Sequence, residues 1–292
     1  MTRNDLVRRL RMLLRTRYGV GLLGRNWAVQ FGLLSGAAQL YLAFWPDSSL
    51  PRLPALLVLA GASLTGAVVR SVPRNRITRE FRHPSFTVTV EVGDLFDYAG
   101  HLVIGFSDTF DTDTTDDLLV ARRSVQGQLL HRVLGGDLAR LDTELSTALA
   151  GVPPVGTETR AAKPVGKLAR YPVGTVAVIG TPRRRFFCAA YGRMGNDLIV
   201  GSSPEELWHS LSRLWDSAHL HARLEHLAMP VCGSDLARIN SMDHSSLLKM
   251  ILLSYVARSR DRVVCQSLTV VVHQSDYSRI DMLELDVFLR SL

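Results

Sequence analysis

Two uncharged apolar runs near the N-terminus limit what this chain can fold into. WAVQFGLLSGAAQLYLAFW, from Trp27 to Trp45, and LPALLVLAGASLTGAVV, from Leu53 to Val69, contain no Asp, Glu, Lys or Arg. A helix needs about 20 apolar residues to cross the hydrocarbon core of a bilayer. Each run therefore has the length of a span, and the segment Pro46 to Arg52 reads as the turn of a transmembrane hairpin covering residues 27–72. Trp27 at one end and Tyr41, Phe44 and Trp45 at the other suit the headgroup level, where an apolar ring with a polar edge is at home. Gln30 and Gln39 fit the competing reading, a buried helical pair in a soluble domain. The flanks decide between the two. Seven Arg (3, 8, 9, 11, 15, 17 and 25) precede the hairpin and five (70, 74, 76, 79 and 82) follow it, whereas the joining turn has only Arg52, offset by Asp47. Positive charge beside a span is retained in the cytoplasm. The expected arrangement is an inner-membrane protein with two spans and both termini cytoplasmic. The apolar run begins too late for a cleaved signal peptide, so no cleavage is expected.

The net charge of +7 resembles a nucleic-acid footprint until its location is traced. Residues 1–25 carry +6 and residues 70–82 carry +4, so the rest of the chain is left with −3. The basic residues face lipid, and the electrostatic reason to expect DNA or RNA as a partner disappears. Leu6, Leu10, Leu13 and Leu14 share one helical face among the arginines of residues 1–26, the pattern of an amphipathic arm lying on a membrane surface. Within the hairpin, Gly32 and Gly36, like Ala62 and Gly66, are spaced to let helix backbones approach closely.

A basic linker is expected over residues 73–83, and one domain of roughly 200 residues over 84–292, a size that buries a full core. FTVTVEV (86–92) alternates like a strand, and HLVIGF from His101 is a continuous apolar run suited to a buried one. Helical stretches follow at Gly127–Leu134 and Asp137–Leu149, and then a Gly/Pro-rich loop. Strands at Thr175–Ile179 and Arg185–Ala190 precede a helix announced by Ser203-Pro204-Glu205-Glu206 and running to His221. A strand in HLAMPVC, a helix from Ser245 to Ala257, a strand in VVCQSLTVVVH and a last helix from Asp276 to Leu289 complete an α/β alternation. Such alternation implies a mainly parallel sheet with helices on both faces and ligands at the carboxyl ends of the strands.

The three cysteines, Cys188, Cys232 and Cys265, lie far apart in apolar runs and read as buried thiols in a reducing compartment. Asp108, Asp111, Asp113, Asp116 and Asp117 lack the glycine and terminal glutamate of a calcium loop and read as a solvated acidic loop. His219 and His221 sit at a helix end, where imidazolium suits the dipole, so with His226 they are not assigned as metal ligands. No nucleophile elbow, Walker loop or dinucleotide fingerprint is present, and neither a catalytic residue nor a cofactor is assigned. Three strand-end loops remain. They are Gly93 to Asp97, Ser107 to Thr112 with its continuation to Gly127, and Gly233 to Arg238. A carboxylate such as Asp94 can accept from an adenine amino group, and a glycine turn entering a helix presents N–H donors to phosphate.

With VEVGDLFD, HLVIGFSDTFDT, SVQGQLL, YPVGTVAVI and MPVCGSDLAR, most of residues 84–292 resembles the macro domain family, specifically the divergent macro domain of Thoeris antiphage effectors. The hairpin resembles the membrane-anchored form of those effectors. The resemblance implies a macro-like three-layer α/β/α fold with a mixed, mainly parallel sheet. It implies an ADP-ribose-type nucleotide signal made from NAD by a TIR-domain partner, and a homo-oligomer that disrupts the membrane when the signal binds. The implied ligand-binding residues are Asp94 at adenine with Leu95, then Ser107, Asp108, Thr109, Ser124, Gln126 and Gly127, with Gly233, Ser234, Asp235 and Leu236 at the diphosphate. Hydrolases of the macro class carry an Asn-rich loop and a glycine triplet after the second strand, and this chain has GFSDTFDT and SVQGQ instead. Sensing is therefore expected over turnover. A membrane-tethered ADP-ribosyl hydrolase and a constitutive anchor that binds another protein are the alternatives.

Overall fold

The computed structural model describes residues 17–44, 52–71, 75–232 and 242–292. Residues 1–16 of the amphipathic arm, the turn of the hairpin up to Pro51 and Gly233 to Leu236 lie outside these residues. The chain divides into two compact units. One comprises the described residues up to Asn75 with Asp281–Val287; the other comprises Arg76–Ile280 with Phe288–Leu292.

The first unit contains helices α1 (Arg17–Phe44) and α2 (Arg52–Ser71), which pack against each other. Asn26 Nδ2 donates to Ser71 Oγ at 2.8 Å, and the Gln30 amide lies against the bare backbone of Gly66, where an added Cβ would come within 3.1 Å of Oε1. Gln30 is thus used between the helices. Gly32 and Gly36 face open space. Among the described residues, one segment, Pro54–Ser71, is by length and composition apolar enough to cross a membrane, and only 17 % of it is buried. The longer α1 does not reach the same hydropathy, its apolar residues being diluted by Gln30, Gln39 and small residues.

In the second unit the strands are β1 (Arg76–Arg82), β2 (Ser85–Val92), β3 (His101–Ser107), β6 (Val176–Thr181), β7 (Arg184–Met194), β9 (His226–Pro230) and β10 (Ser267–Val272). They form one sheet in the order β1-β2-β10-β9-β3-β7-β6, with the short β8 (Val200–Gly201) on β7 and a separate pair β4 (Gly156–Thr157) and β5 (Ala169–Arg170). The five central strands run parallel; β1 and β6 close the edges antiparallel, so the sheet is mixed and mostly parallel. The expected linker is in part a strand. Within 76–82, Ile77 is buried and Phe81 stacks on Phe86 at 4.6 Å, but Arg79, between them on the same face, is exposed and breaks the alternation.

Helices cover both faces, which is why β3 is buried at Val103 as well as at Leu102 and Ile104. Leu141, Leu145 and Leu149 of α4 (Leu138–Leu149) share a core with Leu102, Ile104, Phe106 and Cys188. Trp215 of α5 (Pro204–His221) meets Tyr255 of α6 (His244–Asp261) at 5.2 Å, and Tyr255 meets Phe86 at 5.8 Å. α5 begins as its sequence announces, with Ser203 and Glu206 exchanging hydrogen bonds in a capping box. The helical run after Ser124 is α3 (Val125–Gln128) continued by a π turn, Leu129–Val133; α7 (Met282–Ser291) ends the chain after a 3-10 turn at Tyr277–Arg279. All three cysteines are buried and free. Burial pushes the Cys232 thiol up to about 12 and, outweighing the opposing Tyr255 bond, the Cys265 thiol to about 11.

Candidate functional site

The parallel strands β2, β10, β9 and β3 deliver their carboxyl ends side by side. Four segments emerge there: Gly93 to Asp97, residues from His273, Val231 onward, and Ser107 to Thr112.

At the first, Asp94 caps a 3-10 turn. Its Oδ1 accepts from the Phe96 amide at 2.9 Å and its Oδ2 from Arg132 Nη1 at 2.7 Å, while 40 % of the side chain stays exposed. Burial pulls this carboxyl upward. The Arg132 hydrogen bond, the Phe96 amide and the charges of Arg132 and His273 outweigh it and hold the pKa below the ordinary Asp value. Asp94 is therefore an anion with solvent-facing surface. Leu95 behind it is buried in the core.

The loop after β3 is built differently from the solvated acidic loop its composition predicts. Asp108 and Asp111 are each 2 % exposed. Asp108 Oδ2 lies 2.8 Å from Arg170 Nη1 and Oδ1 accepts from the Met194 amide at 2.7 Å; Arg170 Nε in turn reaches Glu158 at 2.6 Å. Asp111 Oδ2 lies 2.7 Å from Lys163 Nζ and takes a further bond from the Thr109 hydroxyl at 2.6 Å, and Ser107 Oγ is 3.1 Å from that hydroxyl. The sequence pattern fails here because both cations lie more than fifty residues away, Lys163 in the Gly/Pro-rich loop and Arg170 on β5 just after it, and only tertiary pairing offsets the cost of burying a carboxylate. Asp116 and Asp117 do lie in solvent. Between the paired carboxylates, Phe110 adopts φ +49, a left-handed conformation rare for a bulky residue, and stacks on Phe106 at 5.5 Å. The side chains of Ser107, Asp108 and Thr109 are thus turned into the protein.

Ser124 caps the short α3, accepting from the Gly127 amide at 3.0 Å, and Gln126 is buried with its amide on the Asp111 carbonyl. Gly127 needs to be glycine, since a Cβ there would stand 2.4 Å from the Ala121 carbonyl oxygen. These residues shape the loop from within. Arg132, which carries no motif and was not singled out from the sequence, is the side chain that shares solvent with Asp94. Its place on a helix one turn past SVQGQ was the available signal.

A separate cavity of about 350 Å³ lies between α4 and the 167–171 segment, over Phe110, Leu145, Leu149 and Tyr171. Of the candidate residues it touches only Thr109. His219 Nδ1 bonds the Val263 carbonyl at 2.7 Å and His226 Nδ1 meets Ser267 Oγ, so two of the three histidines considered for metal are engaged in pairing between elements.

The family model described as "Thoeris protein ThsA, Macro domain" matches residues 88–273. No curated protein matches. Among solved structures, the chain is similar to the Oceanobacillus iheyensis macrodomain with ADP (14% identity, TM-score 0.48, 75% of this chain and 100% of that one). It is similar also to the same macrodomain with MES bound (15% identity, TM-score 0.47, 74% of this chain and 100% of that one).

Proposed function

Because the chain belongs to the family of Thoeris ThsA macro domains, we propose that it is an antiphage effector that senses an ADP-ribose-type nucleotide with Asp94 at the adenine. The observation that carries this reading is the family match over residues 88–273, the span that contains the exposed, ionised Asp94 at a strand end. A carboxylate held anionic accepts a hydrogen bond from an exocyclic amino group without cost in protonation. Gly233 to Leu236, directly after β9 and Cys232, would supply backbone donors to the diphosphate. The signal is one built from NAD by a TIR-domain partner.

Binding rather than hydrolysis is favoured by the fate of the loop after β3. A hydrolase needs a group able to orient or activate water. Asp108 and Asp111 are each neutralised by a cation and buried, and neither is available for that task. The effector step is assigned to the membrane: α1 and α2 form a two-span hairpin with both termini cytoplasmic, and ligand-driven association of copies disrupts the bilayer. The uncharged run from Trp27 supports a first span despite its two glutamines, because Gln30 is turned onto Gly66 rather than onto lipid.

The test is incubation of the full chain, in detergent or nanodiscs, with ADP-ribose. Thermal stabilisation and a calorimetric binding isotherm with the ligand recovered intact are expected. Release of free ADP-ribose from an ADP-ribosylated conjugate would replace this reading by the membrane-tethered hydrolase; absence of any binding would replace it by the protein-binding anchor.

A further inference from the structure

The carboxylate proposed to meet the base is already occupied. Arg132 Nη1 donates to Asp94 Oδ2 at 2.7 Å and to Gln128 Oε1 at 2.8 Å, and the guanidinium lies over the Phe96 ring, 5.0 Å from its centroid. Both partners stay open to solvent, Arg132 at 42 % and Asp94 at 40 %. An ion pair this exposed adds little to stability and is readily exchanged. Arg132 stands on the π turn Leu129–Val133, and such insertions, which give up regular helix hydrogen bonding, recur where a side chain must be re-aimed for function.

We infer that Arg132 is a ligand-binding residue of this site, holding the place of the base amino group on Asp94 in the empty protein and moving to the ligand's phosphates when the nucleotide enters. The inference rests on the adenine role of Asp94 proposed above. Its logic is an exchange of hydrogen bonds. Asp94 Oδ1 takes the Phe96 amide and Oδ2 the guanidinium, so an incoming amino group meets two oxygens that are already paired, and release of the guanidinium opens Oδ2 to it. A neutral donor replacing a charged one is a weaker bond. What is lost is small because the pair is exposed, so a nucleoside gains little at Asp94. A nucleoside diphosphate gains more, because it brings anionic oxygens to receive the displaced guanidinium, whose planar fork fits them. The pair thereby selects phosphate-bearing nucleotides over nucleosides at the base end of the site.

The experiment is calorimetry of the full chain in nanodiscs with ADP-ribose and with adenosine as separate probes, for wild type, Arg132→Met and Arg132→Lys, at two salt concentrations. Arg132→Met keeps an unbranched stem and removes the charge. For that variant adenosine should bind about tenfold more tightly and ADP-ribose about tenfold more weakly, with its salt dependence reduced. Arg132→Lys, which retains charge without the fork, should keep most of the preference for ADP-ribose. Equal changes for both probes in Arg132→Met, or no change in either, would overturn the exchange while leaving the nucleotide reading intact. Wild type that binds neither probe would overturn both.

Discussion

Lys163 Nζ lies 2.7 Å from Asp111 Oδ2 with the two side chains 0 % and 1 % exposed. Each charge is satisfied only by the other and by its surroundings. Lys163 also donates to the Lys167 carbonyl at 2.6 Å, and Asp111 takes the Thr109 hydroxyl and the Lys167 amide. With Asp108 and Arg170 beside it, the pair ties the 158–171 segment to the loop after β3 at two points.

Removing one member of such a pair leaves a buried charge alone, which costs roughly 3–5 kcal/mol. Lys163→Met should therefore destabilise the protein strongly. Replacing both ends, Lys163→Met with Asp111→Leu, should recover much of the loss, since no charge is then stranded. Urea unfolding in detergent followed by tryptophan fluorescence would measure both. A single variant as stable as wild type would show that the pair is not closed in solution.

Asp94→Ala should weaken ADP-ribose binding, by less than the roughly 1.5 to 3 kcal/mol of a hydrogen bond to a charged group because the substitution also releases Arg132. The fold should persist, because the pair it makes with Arg132 is exposed. The pH dependence has a definite sign. Asp94 has its folded pKa depressed below 3.8, so its small contribution to stability is complete above that value and is lost as pH falls through the folded pKa. Melting curves of wild type and Asp94→Asn should therefore differ near neutrality and converge in acid; a gap that widens in acid would refute the assignment.

The buried thiols predict inertness. Cys232, pushed up to about 12, and Cys265, at about 11, are protonated and out of reach at neutral pH. Alkylation of the folded protein at pH 7.5 should label neither within an hour, and both should react in urea. Rapid native labelling of either would place that thiol at the surface.

How much of this could be read from the chain depended on whether the deciding partner was local. The capping box at Ser203, the leucines of α4 and the apolar β3 act through near neighbours, and all form where the sequence puts them. β1 escaped because only Ile77 and Phe81 of its seven residues are apolar, and Arg79 stands between them on the same face. Among the candidate site residues, Asp94 stands at a strand end, as its place in the sequence indicates, whereas Arg132 enters only through a contact 38 residues distant. Asp108 and Asp111 differ from the expectation for the same reason: a run of carboxylates reads as solvated until the cations that bury it are known, and Lys163 and Arg170 stand 52 and 62 residues away.

The two small-residue faces of the α1–α2 pair are placed differently, and substitution can distinguish them. Gly66 is where Gln30 packs, and a side chain added there would press on the amide at 3.1 Å. Gly66→Leu should therefore splay α1 from α2 within one molecule and lower the amount of chain in the membrane. Gly36 faces nothing within 4 Å in the single chain, so Gly36→Leu leaves the hairpin as it is. If copies associate through the Gly32–Gly36 face, as close backbone approach would permit, leucine at 36 should hold them apart while preserving insertion and ADP-ribose affinity. The measurement is dye permeability of cells supplied with the nucleotide signal, at matched membrane abundance of wild type and Gly36→Leu. Loss of permeability with intact ligand binding assigns that face to contacts between copies. Unchanged permeability would remove the face from the mechanism and move association to the sheet-bearing unit.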